Sequence, residues 1–189
     1  MIDNFEPIYE NTEHVADYDL THSKHVLEML TIGIEYVRFM DEIGKYDKRT
    51  IMQYLQKILP LIYLKASLIP EITIEDNSAD ERFVTEEEYE TLLQILKEKF
   101  EAPCNEEHTC DCTDEGVKVA EALTDLYQDL KDTNLLFGTN KLAAQECAIN
   151  NCRLWFIERW GLAVADLLGY FHTCLYHLHK HDSDNENQN

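Results

Sequence analysis

The run ECAINNCRLWFIERWGLAVADLLGYFHTCLYHLH over residues 146–179 constrains the fold most: it is rich in apolar and aromatic residues and contains no proline. It shows no alternation of a strand kind, and Glu158, Arg159 and Asp166 interrupt its most apolar part. A buried charge is costly unless it is paired, so at least one of the three is expected to face protein and find a partner there. The same charges argue against a membrane span, which needs roughly 18 or more charge-poor apolar residues. The run is therefore expected to form the central helical region of the core.

Helical spacing recurs along the rest of the chain. Only six glycines and four prolines occur in 189 residues, so few positions force a break. Leu27, Leu30, Ile34 and Val37 step by three and four from about Ser23 to Ile43, with Gly44 as a stop. Asp47 is placed to cap a second helix through Ile51, Leu55, Ile58 and Ile62, which Leu61, Leu64 and Leu68 carry on to Pro70. Pro60 lies inside it and is expected to kink or break it. Thr85 and Glu88 form the pattern of a capping box, with Val84 able to staple onto Tyr89. Tyr89, Leu92, Leu93, Leu96 and Phe100 give that third helix its apolar face.

Val119, Leu123, Leu126 and Leu130 mark a fourth helix that fades near Gly138. The last helical region, from about Lys141 to Lys180, would be ~60 Å long if straight. Gly161 is the place for a bend, and Gly161, Ala165 and Gly169, four residues apart, would leave a shallow groove. The spacing predicts an all-α fold, a single-domain bundle of five or six mostly antiparallel helices over residues 21–180. An acidic N-terminal arm, 1–20, and a disordered acidic tail, 181–189, flank it.

Charge narrows the partners. The net charge is −21, but residues 1–20 carry six acids and no Lys or Arg, and residues 71–116 carry 16 acids against 3 bases. Segments 21–70 and 117–180 together hold 12 acids and 13 bases, so the helical body is nearly neutral. Acidity concentrated in this way disfavours nucleic acid and anionic membranes. It suits a basic protein partner, which charge of one sign steers and orients. The start, MIDNFEPIYENTEH, has neither a positive nor an apolar leader region, so no secretory signal is expected. The six cysteines are then expected to be thiols in the cytoplasm.

Two groupings carry possible chemistry. Cys104, His108, Cys110 and Cys112 place four zinc-type ligands within nine residues. The C-x-C pair is not a standard zinc spacing and acids crowd the segment, so no cofactor is the expected reading, with zinc the alternative. His177 and His181 stand four apart near the chain's last helical turns, but the Glu of a zinc protease is missing between them. No phosphate loop, nucleophile elbow or paired di-iron helices occur.

The second grouping is Arg159 and Asp166, ~10 Å apart along a helix, which look to other helices such as that of Asp125 and Asp129 for partners. With His172, Trp160 and Tyr127 they form the candidate binding set. The first reading is a buried network that fixes helix register, in which Asp166→Ala costs about 3–5 kcal/mol by stranding Arg159. The alternative is an enzyme or metal-binding protein with a polar pocket around Arg159, Asp166 and His172. No catalytic residue is assigned.

Asp125-Leu126-Tyr127-Gln128-Asp129-Leu130-Lys131, followed by Trp160-Gly161, Asp166 and His172 in the order W-G-x(4)-D-x(5)-H, resembles an uncharacterised bacterial family of all-helical domains of unknown function. The Leu59-Pro60-Leu61-Tyr63 and Tyr89-Leu93-Phe100 regions are also similar, so the resemblance covers residues 20 to 180. Leu162 and Leu167 to Gly169 are less polar than the family's pattern. The resemblance implies a helical fold and no particular activity.

Overall fold

A computed structural model describes residues 20–74, 76–101 and 112–176, with side chains from 115 onward in the last stretch. They form six α-helices: α1 Lys24–Asp41, α2 Lys48–Ala66, α3 Glu86–Phe100, α4 Cys112–Phe137, α5 Leu142–Trp155 and α6 Gly161–Tyr176. No strand occurs among the described residues. None of the helices is long and apolar enough to cross a membrane.

The helix starts follow local chemistry. Asp47 accepts from the backbone N–H of Thr50 at 2.9 Å and from its hydroxyl at 2.8 Å, capping α2. Thr85 accepts from the N–H of Glu88 at 3.2 Å, capping α3, and such caps contribute ~1 kcal/mol each. Only half of the expected capping box forms, because the Glu88 side chain points to Tyr127 and Lys131 on α4. Pro60 does not break α2, which runs on to Ala66; it sits on the exposed side.

The buried stripe of α1 also differs from the expected one. Leu27 and Ile34 are exposed, while Val26, Met29, Leu30, Gly33, Tyr36 and Met40 face inward. Tyr36 brings a hydroxyl that donates to the Leu123 carbonyl of α4 at 2.9 Å. Gly33 lets α4 approach: a Cβ there would lie 2.9 Å from the Asn134 amide nitrogen.

Helix α4 is the hub, packing on α1, α3 and α5, while α2 packs on α1 and α6. Trp160, Tyr36, Phe100 and Phe171 are the largest fully buried side chains. The segment between α2 and α3 is held down by buried Ile69, Ile72 and Val84. Ile74, Ala79 and Phe83 cover a smaller cluster of Leu136, Ala144, Cys147 and Ala148.

The final helical region is not one uniform helix. Residues Phe156–Trp160 form a π turn between α5 and α6, closed by the Gly161 N–H donating to the Phe156 carbonyl. A Cβ on Gly161 would collide with that carbonyl and stand 2.9 Å from the Phe156 ring. Glycine is thus required there, though not to leave a groove: Gly169 has open space around it, and Ala165 is exposed. At the π turn the chain changes neighbours, since α5 packs on α4 and α6 on α2.

Candidate functional site

Helix α4 carries polar side chains on two opposite sides. Asp125, Asp129 and Asp132, spaced by four and three, share one side; Tyr127 and Lys131, four apart, share the other. Each side borders a recess.

On the aspartate side, Asp129 and Asp132 are 2% and 1% exposed. Asp132 Oδ1 accepts the backbone N–H groups of Phe83 and Val84 at 2.8 and 2.9 Å, and Oδ2 accepts Arg82 Nη1 at 2.9 Å. Asp129 receives the same Arg82 nitrogen at 3.3 Å and, on its other oxygen, Arg159 Nη2. Burial pushes the Asp129 carboxyl above the usual aspartate range, and the two guanidinium groups pull it back. Arg82 and Arg159 also lie over the Trp155 ring, 4.2 and 5.4 Å from its centroid, so the carboxylates and the indole together fix both arginines. Beside them a recess of about 240 Å³ is lined by Lys118, Glu121, Asp125, Asp129, Arg159 and Trp160. Tyr89 of α3 donates to Asp125 at 2.7 Å.

On the opposite side the Tyr127 hydroxyl lies 2.7 Å from Asp41 Oδ1 and 2.8 Å from Glu88 Oε1. Lys131 Nζ donates to Glu88 and, at 2.7 Å, to the same hydroxyl, and stands 3.5 Å from Asp41. Burial and the two carboxylates raise the Tyr127 phenol far above its usual value, so it remains a donor. Burial raises the Glu88 carboxyl, but Lys131 and Tyr127 outweigh it and hold the group below the usual glutamate range. This quartet borders a recess of about 370 Å³ whose floor is Met40, Leu92 and Ile95 and whose rim includes Asp41, Glu87 and Glu88.

A family model of a domain of unknown function, DUF5063, matches residues 21–177. The chain belongs to the DUF5063 family. It is also similar to a solved structure, protein BF1032 from Bacteroides fragilis, at 27% identity and a TM-score of 0.71, over 83% of this chain and 99% of that one. A search of curated proteins finds no match. The family assignment and the shared fold agree with the helical class expected from the DLYQDLK and W-G segments, and neither carries an activity.

Within this DUF5063 fold the candidate residues separate. Arg159 and Trp160 border the smaller recess and Tyr127 the larger, on the far side of α4. Asp166 and His172 are exposed on α6 and line neither. The expected burial of Asp166 is thereby overturned: the partner of Arg159 is Asp129. The His172 ring lies tilted against that of Tyr176, with ring centroids 4.8 Å apart. Cys104, His108 and Cys110 lie outside the described residues, as do His177, His179 and His181 and the Cys112 side chain.

Sequence reasoning missed Arg82, Asp132, Asp41 and Lys131. Asp125, Asp129 and Asp132 form an acid stripe on a helix whose neighbouring stripe is Leu123, Leu126 and Leu130. That pattern marks the first of these sites, but nothing local points to Arg82 or Asp41, which reach α4 from other segments.

Proposed function

We propose that the domain is an interaction module that takes a basic side chain of a protein partner into the recess between Asp41, Glu87, Glu88 and Tyr127. One observation carries this reading: the Tyr127 hydroxyl has a single proton facing two carboxylate oxygens. Lys131 donates to Glu88 and to the phenol oxygen and stands 3.5 Å from Asp41, so one ammonium serves both carboxylates and Asp41, half exposed at the rim, keeps lone pairs open to a further donor. An incoming ammonium or guanidinium group supplies it. Asp41 closes α1, and the negative end of that helix dipole favours a cation. Ile95, partly exposed with the buried Met40 and Leu92 behind it, offers apolar surface for the aliphatic stem of a lysine or arginine.

The test is titration with an arginine-containing peptide by calorimetry, at low and high salt. A chain of this charge attracts polycations anywhere, so Asp41→Asn/Glu87→Gln is compared with Glu71→Gln/Glu98→Gln, which removes the same charge elsewhere. The recess pair should weaken binding by about ten-fold or more, ~1.4 kcal/mol, and the control pair by far less. Equal losses in both would defeat the reading.

A further inference from the structure

The smaller recess, on the Arg159 side of α4, is separate from the one beside Asp41. Its lining is sorted by charge: Arg159 and Lys118 are cations, and Glu121, Asp125 and Asp129 are carboxylates. Asp129 is buried and taken up by Arg82 and Arg159, so an occupant meets Glu121 and Asp125 as open carboxylates and Arg159 and Lys118 as cations. A molecule carrying both charges satisfies both sets.

The positive end is built rather than incidental. A guanidinium has five N–H donors, and Asp129, which is buried, takes one from Arg159. The indole of Trp155 lies beneath the same group. One edge is thus anchored, and the other donors have no acceptor among the described residues. The neighbouring wall residue, Trp160, is 2% exposed and its buried Nε1–H also lacks an acceptor. That N–H is closed off from solvent, so it reports an occupant of the neighbouring recess through a change in its surroundings. Arg159 and Trp160 both belong to the π turn, a geometry that recurs at functional sites. The volume, about 240 Å³, is below the roughly 300–1,000 Å³ of drug-sized pockets, which limits the occupant to a small molecule.

We propose that this recess binds a small zwitterion of the free α-amino-acid type, its carboxylate on Arg159 and its ammonium against Asp125 and Glu121. The test follows the Trp160 indole N–H resonance of the ¹⁵N-labelled chain, identified as the one that persists in Trp155→Phe. The probes are the standard free α-amino acids one at a time, with acetate and ethylammonium as half-molecules. At least one amino acid should displace the resonance saturably below about 10 mM, with both half-molecules weaker by about ten-fold or more. Arg159→Gln should weaken that amino acid by a similar factor; if it does not fold, Asp125→Asn, at the exposed rim, serves instead. No displacement by any amino acid, acetate binding as tightly as the amino acid, or binding unchanged in the folded variant would each overturn the proposal. Because the Asp41 recess lies on the far side of α4, its own test stands or fails separately.

Discussion

Asp132 shows how a single buried carboxylate can organise a fold that is otherwise apolar. It gathers two backbone N–H groups and Arg82 from the segment preceding α3, so it pins that segment to α4. Asp132→Ala strands the two backbone donors, while Arg82 keeps Asp129 as a partner, and we expect a loss of about 2–4 kcal/mol in urea unfolding. Asp166→Ala, on the exposed face of α6, should change stability by less than about 0.5 kcal/mol. A larger loss at Asp166 than at Asp132 would contradict the placement of both. Glu88 gives a test by pH. Its folded carboxyl is held below its unfolded value, so its contribution is complete above the unfolded pKa of about 4.3 and is lost as pH falls through the folded one. Glu88 is 37% exposed, and solvent screening limits the gap between the wild type and Glu88→Gln to about 0.5–1 kcal/mol at pH 7. That gap should close below about pH 4 in thermal melts; a gap that widens there would show the sign to be wrong. Arg159 could be read from the sequence as a charge needing a partner because it stands in an apolar run. Asp166 stands in the same run, and only the rotation of α6 decides that it faces water.

The elements show why periodicity located helices better than it oriented them. Helix α1 has two apolar stripes, and counting by three and four cannot choose between Leu27–Ile34 and Met29–Tyr36. The choice is made by Gly33 and by the Tyr36 hydroxyl, which fit α4. In the last helical region a glycine repeat suggested close helix approach, whereas the structure uses Gly161 inside the chain's own π turn. Two substitutions separate these roles. Gly161→Ala sets a methyl group against the Phe156 carbonyl and ring, and should lower stability by about 1–3 kcal/mol. Gly169→Ala adds a methyl group in open space on a helix and should raise stability by about 0.5–1 kcal/mol through the lower entropy cost of alanine. Thermal unfolding of the two variants should move in opposite directions. If Gly161→Ala were as stable as the parent, the π turn would not depend on the missing side chain.

At the scale of the whole molecule, the separation of a nearly neutral body from acidic segments was legible from composition alone, because counting charges needs no knowledge of contacts. The two recesses were not, since each joins α4 to residues far along the chain, Arg159 to Asp129 across 30 positions and Asp41 to Tyr127 across 86. The charge itself has a measurable consequence. A net charge of −21 favours the expanded chain through self-repulsion, and salt acts on it and on ion pairs in opposite senses. Exposed pairs such as Arg38–Glu35 and Lys45–Glu42 contribute little and weaken with salt. The Arg82–Asp132 pair has its carboxylate buried and is screened much less. Repulsion therefore dominates the response. As salt rises from about 10 to 150 mM the Debye length shortens from about 30 to 8 Å, and the melting temperature should rise by several degrees in calorimetry. The rise should level off once neighbouring acids no longer sense one another. A melting temperature that falls over the same range would mean that attractive pairs outweigh repulsion, and that the acidic segments are tied to basic groups instead of remaining open to a partner.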